Sequence, residues 1–308
     1  MILVTGASGL LGAAIILRAR EMGERVAGVS NRHLFRVPGV DAYSVDLRDF
    51  AAARKIIMTL RPASVIHCAA ATDVDWCEGH PELAHRLNVC ASAFLAELAR
   101  EMNAKLIYVS TDSVFDGDKG NYSENDLPDP LNIYAKTKFM AEQEVLRIHP
   151  SPLVVRVNIY GWNAQNKQSL AEWMLGQLSA GKQVPGFSDV YFSPMLANDL
   201  AEILLTMLDR GMSGLYHVAG SESISKYEFA SRLATTFGFK PEHVLPIRAA
   251  EAKVRAPRPH NTSLSTWKVS KDLGSAMPNV ESGLRKFKAL REQGYVQQLK
   301  SHLTGAGG

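Results

Sequence analysis

Residues 2–12 read ILVTGASGLLG, an apolar run that passes directly into three glycines with the spacing GxxGxxG. A short β-branched run before the glycines predicts a buried strand, and the residues after Gly12 predict a helix. In such a unit Gly6 permits a tight turn, Gly9 lets the backbone approach a pyrophosphate, and Gly12 lets the helix pack closely on the sheet. The N–H groups at the helix N-terminus attract phosphates. This context favours a dinucleotide-binding loop over a glycine-rich turn without a ligand, with the cofactor contacts Gly6, Ser8, Gly9, Leu10, Leu11 and Gly12.

The first half of the chain continues as short apolar runs that alternate with amphipathic stretches. The runs are nearly continuous in apolar character, as in strands covered on both faces, and they occupy residues 2–5, 25–29, 65–68, 106–109 and 153–156. Helical patterns follow Gly12 and cover residues 49–60, 81–102 and 133–148. This alternation predicts an α/β fold, a Rossmann-type doubly wound parallel sheet.

The regularity loosens after Arg156, where helical segments near residues 169–180, 198–208 and 225–237 are separated by stretches rich in glycine and proline. We predict a dinucleotide-binding domain over residues 1–157 and a smaller, mainly substrate-binding C-terminal domain over 158–308. Residues 215–218 read as a further strand, and parts of 192–220 are expected to return to the first domain. The small, glycine-rich tail from 304 to 308 is expected to be disordered.

Composition excludes several classes of protein. The 308 residues include 34 Lys and Arg against 31 Asp and Glu, without a basic run, so a nucleic-acid partner is not expected. Three cysteines form no CxxC pair, which favours a reducing compartment, and no cluster predicts a metal site. Neither a signal peptide nor an apolar stretch of roughly 18 residues is present, so we expect a cytoplasmic protein without a membrane partner. The sequence leaves the oligomeric state open, with a homodimer among the alternatives.

The end of the second predicted strand bears on the choice of dinucleotide. A carboxylate there would bind the adenosine 2′-hydroxyl of NAD, but the segment from Ser30 to His33 contains none. Arg32 instead offers a planar guanidinium that suits the 2′-phosphate of NADP. The sequence therefore favours NADP(H), with NAD(H) and a solvated basic loop as the alternatives.

A catalytic group of three residues is predicted at the sheet edge. Tyr134 and Lys138 share one face of a helix because they are four residues apart. The ammonium of Lys138 is expected to lower the pKa of Tyr134 from its usual value of about 10, and to hold the nicotinamide ribose. Thr111 follows an apolar strand at the carboxyl edge, where its hydroxyl can hydrogen-bond a substrate oxygen that gains negative charge. The combination is specific, whereas Tyr-x-x-x-Lys alone is common on exposed helices.

Several stretches resemble the dTDP-4-dehydrorhamnose reductases, in the extended branch of the short-chain dehydrogenase/reductase superfamily. The spacing GxxGxxG is typical of that branch. Residues 110–117, STDSVFDG, are similar to the family's STDYVFDG, and residues 122–126 and 130–138 resemble its Y-x-E-x-D and P-L-N-x-Y-G-x-[ST]-K. Further matches are residues 214–220 and Arg258-Pro259 followed by Asn261. The resemblance covers nearly the whole chain.

This resemblance implies reduction of the C4 keto group of a nucleotide-linked 6-deoxy-4-ketohexose, usually with NADPH, and therefore a nucleotide-sugar substrate. The additional cofactor contacts that it implies are Asp46, Leu47, Cys68, Ala69, Ala70 and Asn88. The substrate contacts that it implies are Asp112, Ser113, Asn158 and Arg258. Two departures concern the sugar pocket: Ser113 replaces the family's tyrosine, and residues 156–161 are one residue shorter than the usual form.

Three alternatives compete with the reductase on the same fold. Dehydratases of this superfamily carry Asp-Glu directly after the threonine, and the pair Asp112-Ser113 disfavours them. An epimerase remains open and would retain NAD tightly. A non-catalytic, NADP-binding regulatory subunit resembling the methionine adenosyltransferase β subunit is the third, against which the complete set Thr111, Tyr134 and Lys138 argues.

Overall fold

The computed structural model describes residues 1–251 and 256–304. In chain order the strands are β1 (Ile2–Thr5), β2 (Val26–Ser30), β3 (Leu34–Phe35), β4 (Asp41–Ser44), β5 (Ser64–His67), β6 (Lys105–Thr111), β7 (Leu153–Val157), β8 (Ile159–Tyr160), β9 (Val184–Phe187), β10 (Tyr191–Phe192), β11 (Met195–Leu196), β12 (Gly214–His217), β13 (Ile224–Ser225), β14 (Val244–Ile247) and β15 (Leu303–Thr304). The helices are α1 (Leu10–Glu21), α2 (Phe50–Leu60), α3 (Val74–Gly79), α4 (Pro81–His85), α5 (Ala91–Glu101), α6 (Ile133–Ile148), α7 (Leu170–Ser179), α8 (Ala197–Asp209), α9 (Lys226–Thr236), α10 (Trp267–Leu273), α11 (Val280–Glu292) and α12 (Tyr295–Ser301).

Seven strands form one parallel sheet in the order β12-β7-β6-β5-β1-β2-β4. The chain proceeds from β1 to β2 and β4 on one side, and then to β5, β6 and β7 on the other. The order therefore reverses beside β1, which is where open α/β sheets bind ligands. The predicted Rossmann-type fold is confirmed.

Helices cover both faces of this sheet, which explains the apolar strands. In β1, Val4 faces the core formed with α1 and α8, whereas Leu3 faces the core formed with α2, α5 and α6. The same alternation recurs in β5, β6 and β7, because successive side chains point to opposite faces of a sheet.

The C-terminal half contributes both to the sheet and to smaller units. Strand β12 pairs with β7 at the sheet edge, and α8 packs against α1. Short pairs form between β8 and β11, β9 and β14, and β10 and β13. The division into two domains at residue 157 stays a prediction. In the tail, Thr304 pairs with Leu34 in the β3–β15 ladder, and residues 305–308 lie outside the described residues.

Two of the differences from the sequence prediction lie in the first half of the chain. Residues 81–102 form α4, a π-helical turn (Arg86–Cys90) and α5 rather than one helix. The turn contains Asn88, whose buried side chain bonds outside the helix, and π-helical turns are frequent at functional sites. Strand β4 was not predicted because its residues, Asp41–Ser44, lie at the sheet edge and form no apolar run.

None of the helices in the described ranges is both long and apolar enough to cross a membrane.

Candidate active site

A cleft of about 760 Å³ lies at the carboxyl ends of β1, β2, β5 and β6. It brings together most of the residues that the sequence singled out, although 100 or more positions separate some of them. The predicted residues that line it are Gly6, Ser8, Gly9, Leu10, Leu11, Gly12, Arg32, Asp46, Leu47, Cys68, Ala69, Ala70, Thr111, Asp112, Ser113, Tyr134, Lys138 and Asn158. Asn88 and Arg258 are not among the lining residues.

The glycine loop is built so that side chains do not fit. Gly6 has a φ of +66°, and an added Cβ would lie 2.8 Å from the backbone N of Ala69. A Cβ on Gly12 would lie 2.2 Å from the carbonyl O of Gly6. Both positions therefore exclude any other residue, and α1 begins within close reach of β1 and β5.

The N-terminus of α1 fits a dinucleotide pyrophosphate. Gly9 is the N-cap of α1 and supplies no side-chain cap to the N–H groups of the first turn. A Cβ added at Gly9 would meet only the carbonyl O of Gly6, at 3.1 Å, so a ligand can approach this backbone closely. Uncapped N–H groups and the helix dipole attract a diphosphate at this position.

The adenosine end of the cleft lies beyond β2. Arg32 is exposed and lines the cleft together with Asn31 and His33. Across from it, Arg48 holds the carboxylate of Asp46 through bonds of 2.6 to 3.0 Å. The hydrogen bonds from Arg48 and the charge of Arg32 hold the pKa of Asp46 below its usual value. Asp46 is therefore ionised and held in one orientation. Arg32 follows the end of β2, where no carboxylate is present.

Asn88 does not line the cleft, and its cofactor contact stays a prediction. It is buried, and its amide Nδ2 donates to Thr137 Oγ1 at 3.0 Å and to the carbonyl O of Ala71 at 3.2 Å. Its Oδ1 accepts from the N–H of Ala71 at 2.8 Å. Asn88 thus ties the loop after β5 to α6. Its polar groups are used within the protein, so we assign it a positioning role behind Ala69 and Ala70.

The predicted catalytic residues meet at the end of β6. Asn132 caps α6 by accepting from the N–H of Ala135 at 2.9 Å, which fixes the first turn that carries Tyr134. The Thr111 side chain hydrogen-bonds Tyr134. Lys138 is buried one turn further along, and its Nζ donates to the carbonyl O of Val109 at 2.7 Å.

The expected lowering of the Tyr134 pKa by Lys138 is wrong. Desolvation raises the pKa of Tyr134 to about 12, and its hydrogen bond with Thr111 opposes this only in part. Desolvation also lowers the pKa of Lys138 to about 7, against the charge of Glu142. Lys138 is buried and Tyr134 is half-buried in the wall of the cleft, and the loss of water around each side chain disfavours its charged form. Tyr134 is therefore a neutral phenol over the physiological pH range.

Asp112 lines the cleft, and both of its carboxylate oxygens also accept hydrogen bonds within the protein. It is buried, and its Oδ2 accepts from Thr262 Oγ1 at 2.5 Å and from Asn158 Nδ2 at 2.7 Å. Its Oδ1 accepts from Thr111 at 3.2 Å and from Ser113 at 3.3 Å. Burial raises the pKa of Asp112 while these bonds oppose the shift. Asp112 thus forms a junction that holds the ends of β6 and β7, and its substrate contact stays a prediction.

Arg258 lies beside the cleft rather than in its lining. Its guanidinium forms an ion pair of 3.4 Å with Asp75, and both side chains are about two-fifths exposed. Its partner Asp75 is the second residue of α3, which packs against α6. A substrate contact by Arg258 therefore stays a prediction.

A segment over residues 163–169, which we call the bridge segment, was not singled out in the sequence. Gln165 Nε2 donates to Ser8 O at 3.1 Å and to Ser8 Oγ at 2.9 Å. Lys167 Nζ donates to Thr72 Oγ1 at 2.9 Å. Glu172 anchors both ends by accepting from the N–H groups of residues 163 and 169. Only Ser169 followed three residues later by Glu172 signals this arrangement in the sequence.

In the described ranges, no group of three or more His, Cys, Asp or Glu residues is placed to hold a metal ion.

The reversed strand order, the uncapped glycine loop and the Thr111–Tyr134–Lys138 group define an NAD(P)-dependent oxidoreductase of the extended short-chain dehydrogenase/reductase superfamily. Residues 1–291 match the family model described as the RmlD substrate binding domain. The chain belongs to this family, and the resemblance to the dTDP-4-dehydrorhamnose reductases is confirmed.

Individual relatives cover most of the chain. The probable low-salt glycan biosynthesis reductase Agl14 of Haloferax volcanii is 32% identical, over 93% of this chain and 96% of its own. The methionine adenosyltransferase 2 subunit beta of Xenopus laevis is 34% identical, over 87% of this chain and 81% of its own. The crystal structure of dTDP-4-dehydrorhamnose reductase from Bacillus anthracis in complex with NADP has a TM-score of 0.83 at 27% identity, covering 94% of this chain and 98% of that one.

Proposed function

We propose that the protein reduces the C4 keto group of a nucleotide-linked 4-keto-6-deoxyhexose with NADPH. The observation that carries the proposal is the meeting of Thr111, Tyr134 and Lys138 at the carboxyl edge of the sheet, in the same cleft as the glycine loop. Open α/β sheets bind dinucleotide and substrate along this edge, so a carbonyl can lie beside both.

A bound NADPH would supply the hydride to the keto carbon, while the side chains supply the proton and stabilise the charge that develops on the oxygen. Tyr134 remains protonated because its pKa lies near 12, so it is a donor for the oxygen that becomes an alkoxide. The Thr111 hydroxyl donates to Asp112 Oδ1 at 3.2 Å, and on substrate binding it would turn this proton to the same oxygen and stabilise the developing negative charge. Lys138 would hold the nicotinamide ribose, and the N-terminus of α1 would hold the pyrophosphate. Asn158 and Thr262 keep Thr111 in place through Asp112.

The nucleotide is expected to contribute strongly to catalysis. Lys167 and Arg258 flank the loop from Thr72 to Asp75 and offer cationic donors to a diphosphate. Removing the nucleoside diphosphate from a 4-keto-6-deoxy sugar should lower kcat/KM by at least about a hundredfold, because charge-assisted bonds contribute roughly 1.5–3 kcal/mol each. Remote binding energy of this kind places the reacting carbonyl. Loss of NADPH absorbance with each substrate measures the ratio, and equal activity on both would reject a nucleotide-linked substrate.

Arg32 is expected to set the preference for NADPH. An exposed guanidinium beside the adenosine end gains a charge-assisted bond only when the 2′-phosphate is present. Arg32→Ala should therefore weaken NADPH binding by about ten- to a hundredfold and leave NADH binding nearly unchanged. The matched control is Arg25→Ala, an exposed arginine next to the opposite end of β2. Isothermal titration with both cofactors makes the comparison, and equal losses for NADPH and NADH would contradict the assignment.

A regulatory subunit that binds NADP(H) without turnover is a second candidate. It is favoured by the 34% identity to a methionine adenosyltransferase 2 subunit beta. Clear NADPH binding with activity on neither the nucleotide-linked nor the free keto sugar would support it and would defeat the reductase. The epimerase alternative rests on the shared fold, and NAD retained through purification would favour it.

A further inference from the structure

An exposed tryptophan lies in the wall of the cleft. Trp76 is 36% exposed and belongs to the lining residues, although it is an apolar side chain with a large surface. It occupies the first turn of α3, whose N-cap Asp73 accepts from the N–H of Trp76 at 3.0 Å. Exposed indole rings at the wall of a polar cleft commonly contact a ligand, because their flat faces bury a large apolar area.

Helix α3 is fixed at the end of the cleft where the proton donor lies. Glu78 Oε1 accepts from the N–H of Ile133 at 2.7 Å, and Ile133 directly precedes Tyr134. In addition, Cys77 Sγ donates to the carbonyl O of Ala71 at 3.6 Å, in the loop that Asn88 ties to α6. Helix α3, which carries Trp76, therefore borders the first turn of α6, where the proposed proton donor lies.

The indole is held in one orientation by its neighbour His80. The two rings stack with centroids 4.7 Å apart and an interplanar angle of 14°. His80 Nδ1 also bonds the carbonyl O of Trp76 at 3.0 Å. The imidazole covers one face of the indole and fixes it, so that a ring packing on Trp76 meets a preorganised surface.

Two cationic groups bind residues that lie close to Trp76 in the chain. Arg258 pairs with Asp75, the preceding residue, at 3.4 Å. Lys167 reaches across the cleft to Thr72 at 2.9 Å. Trp76 is thus an apolar ring in the cleft wall, on a helix that borders the proposed proton donor, and its neighbours in the chain bind two cations. This combination matches a hexose ring that carries a diphosphate, because the C–H face of the sugar is apolar and the phosphates are anionic.

We infer that Trp76 is the wall against which the hexose ring of the substrate packs, and that it is a specificity-determining residue for the sugar. This inference rests on the proposed function, because it takes the hexose C4 to be beside Tyr134. Trp76→Ala should raise KM for the nucleotide-linked keto sugar by about tenfold and change kcat less, because the lost apolar contact amounts to roughly one decade in binding. Trp76→Phe, which keeps a flat apolar ring, should recover part of that loss.

Tryptophan fluorescence tests the inference without turnover. With NADP⁺ bound, dTDP-glucose, which has no keto group to reduce, should quench the parent protein, and thymidine diphosphate should quench it much less. Trp76→Ala should abolish this quenching. The matched control is Trp267→Ala, which removes a tryptophan that is 68% exposed and lies outside the cleft lining, and it should leave the quenching and KM unchanged.

The outcomes separate the inference from the proposed function. If Trp76→Ala left both the quenching and KM unchanged, Trp76 would not contact the hexose. Activity of the parent on the keto sugar would still support the proposed reductase in that case. Equal quenching by thymidine diphosphate would also overturn it, since the base rather than the hexose would then stack. If dTDP-glucose quenched Trp76 but the protein showed no turnover, the contact of Trp76 with the hexose would be supported and the reductase activity rejected. Retained NADP⁺ binding shows that each variant is folded.

Discussion

Tyr134→Phe is expected to lower kcat by about 10²–10⁴-fold, the range that a positioned proton donor contributes. In the proposed mechanism the phenol donates to the oxygen that gains charge, and the substitution removes the donor while keeping the ring in its place on α6. Because the pKa of Tyr134 lies near 12, the parent enzyme should show no ionisation of this group below about pH 10. The kinetic loss should therefore be nearly the same at pH 6 and pH 9. Stopped-flow or steady-state loss of NADPH absorbance measures both.

The binding of cofactor separates a catalytic from a structural effect of this change. The dissociation constant for NADP⁺ should stay within about tenfold of the parent value, since a lost neutral hydrogen bond contributes on the order of 0.5–1.5 kcal/mol. Tyr43→Phe, on the edge strand β4 and outside the cleft lining, is the matched control and should retain parent turnover. Near-normal kcat in Tyr134→Phe would reject the assignment of the proton donor.

The features that the sequence could predict are those that depend on neighbouring residues. The glycine loop is one, because the positive φ at Gly6 and the close approach at Gly12 follow from the local path of strand into helix. The alternation of strands and helices is another, since a strand covered on both faces requires a continuous apolar run. Tyr134 and Lys138 share a helix face for the same local reason.

Features that depend on distant partners had no signal in the sequence. Thr262 bonds Asp112 across 150 positions, and Gln165 bonds Ser8 across 157. The four hydrogen bonds that the Asp112 carboxylate accepts from the protein therefore could not be predicted. Likewise, the direction in which the Tyr134 pKa shifts depends on burial, and burial is known only from the packed structure. The sequence shows only that a charged residue, Lys138, is near.

Lys138→Met is expected to weaken cofactor binding by about ten- to a hundredfold, the contribution of a hydrogen bond to a charged group. The ammonium donates to Val109 O at 2.7 Å and stands at the end of the cleft that the nicotinamide ribose would occupy. Methionine keeps much of the stem and removes the charge. Lys136→Met is the matched control, because Lys136 is exposed on the same helix and does not line the cleft.

The pH dependence tests the role of the Lys138 charge separately from its stem. The pKa of Lys138 lies near 7, so the parent loses this positive charge as the pH rises through that value. Cofactor binding in the parent should therefore weaken between about pH 6 and pH 8, and the Met variant should lack this step.

Stability should change in the opposite direction. The unfolded chain binds more protons at this lysine between about 7 and its usual pKa of about 10.4, so parent stability relative to Lys138→Met rises with pH over that interval. Urea unfolding at pH 7 and pH 9 measures the stability difference, and titration of NADP⁺ measures the affinity. Parent-like affinity together with a parent-like pH step in the Met variant would show that Lys138 does not bind the cofactor.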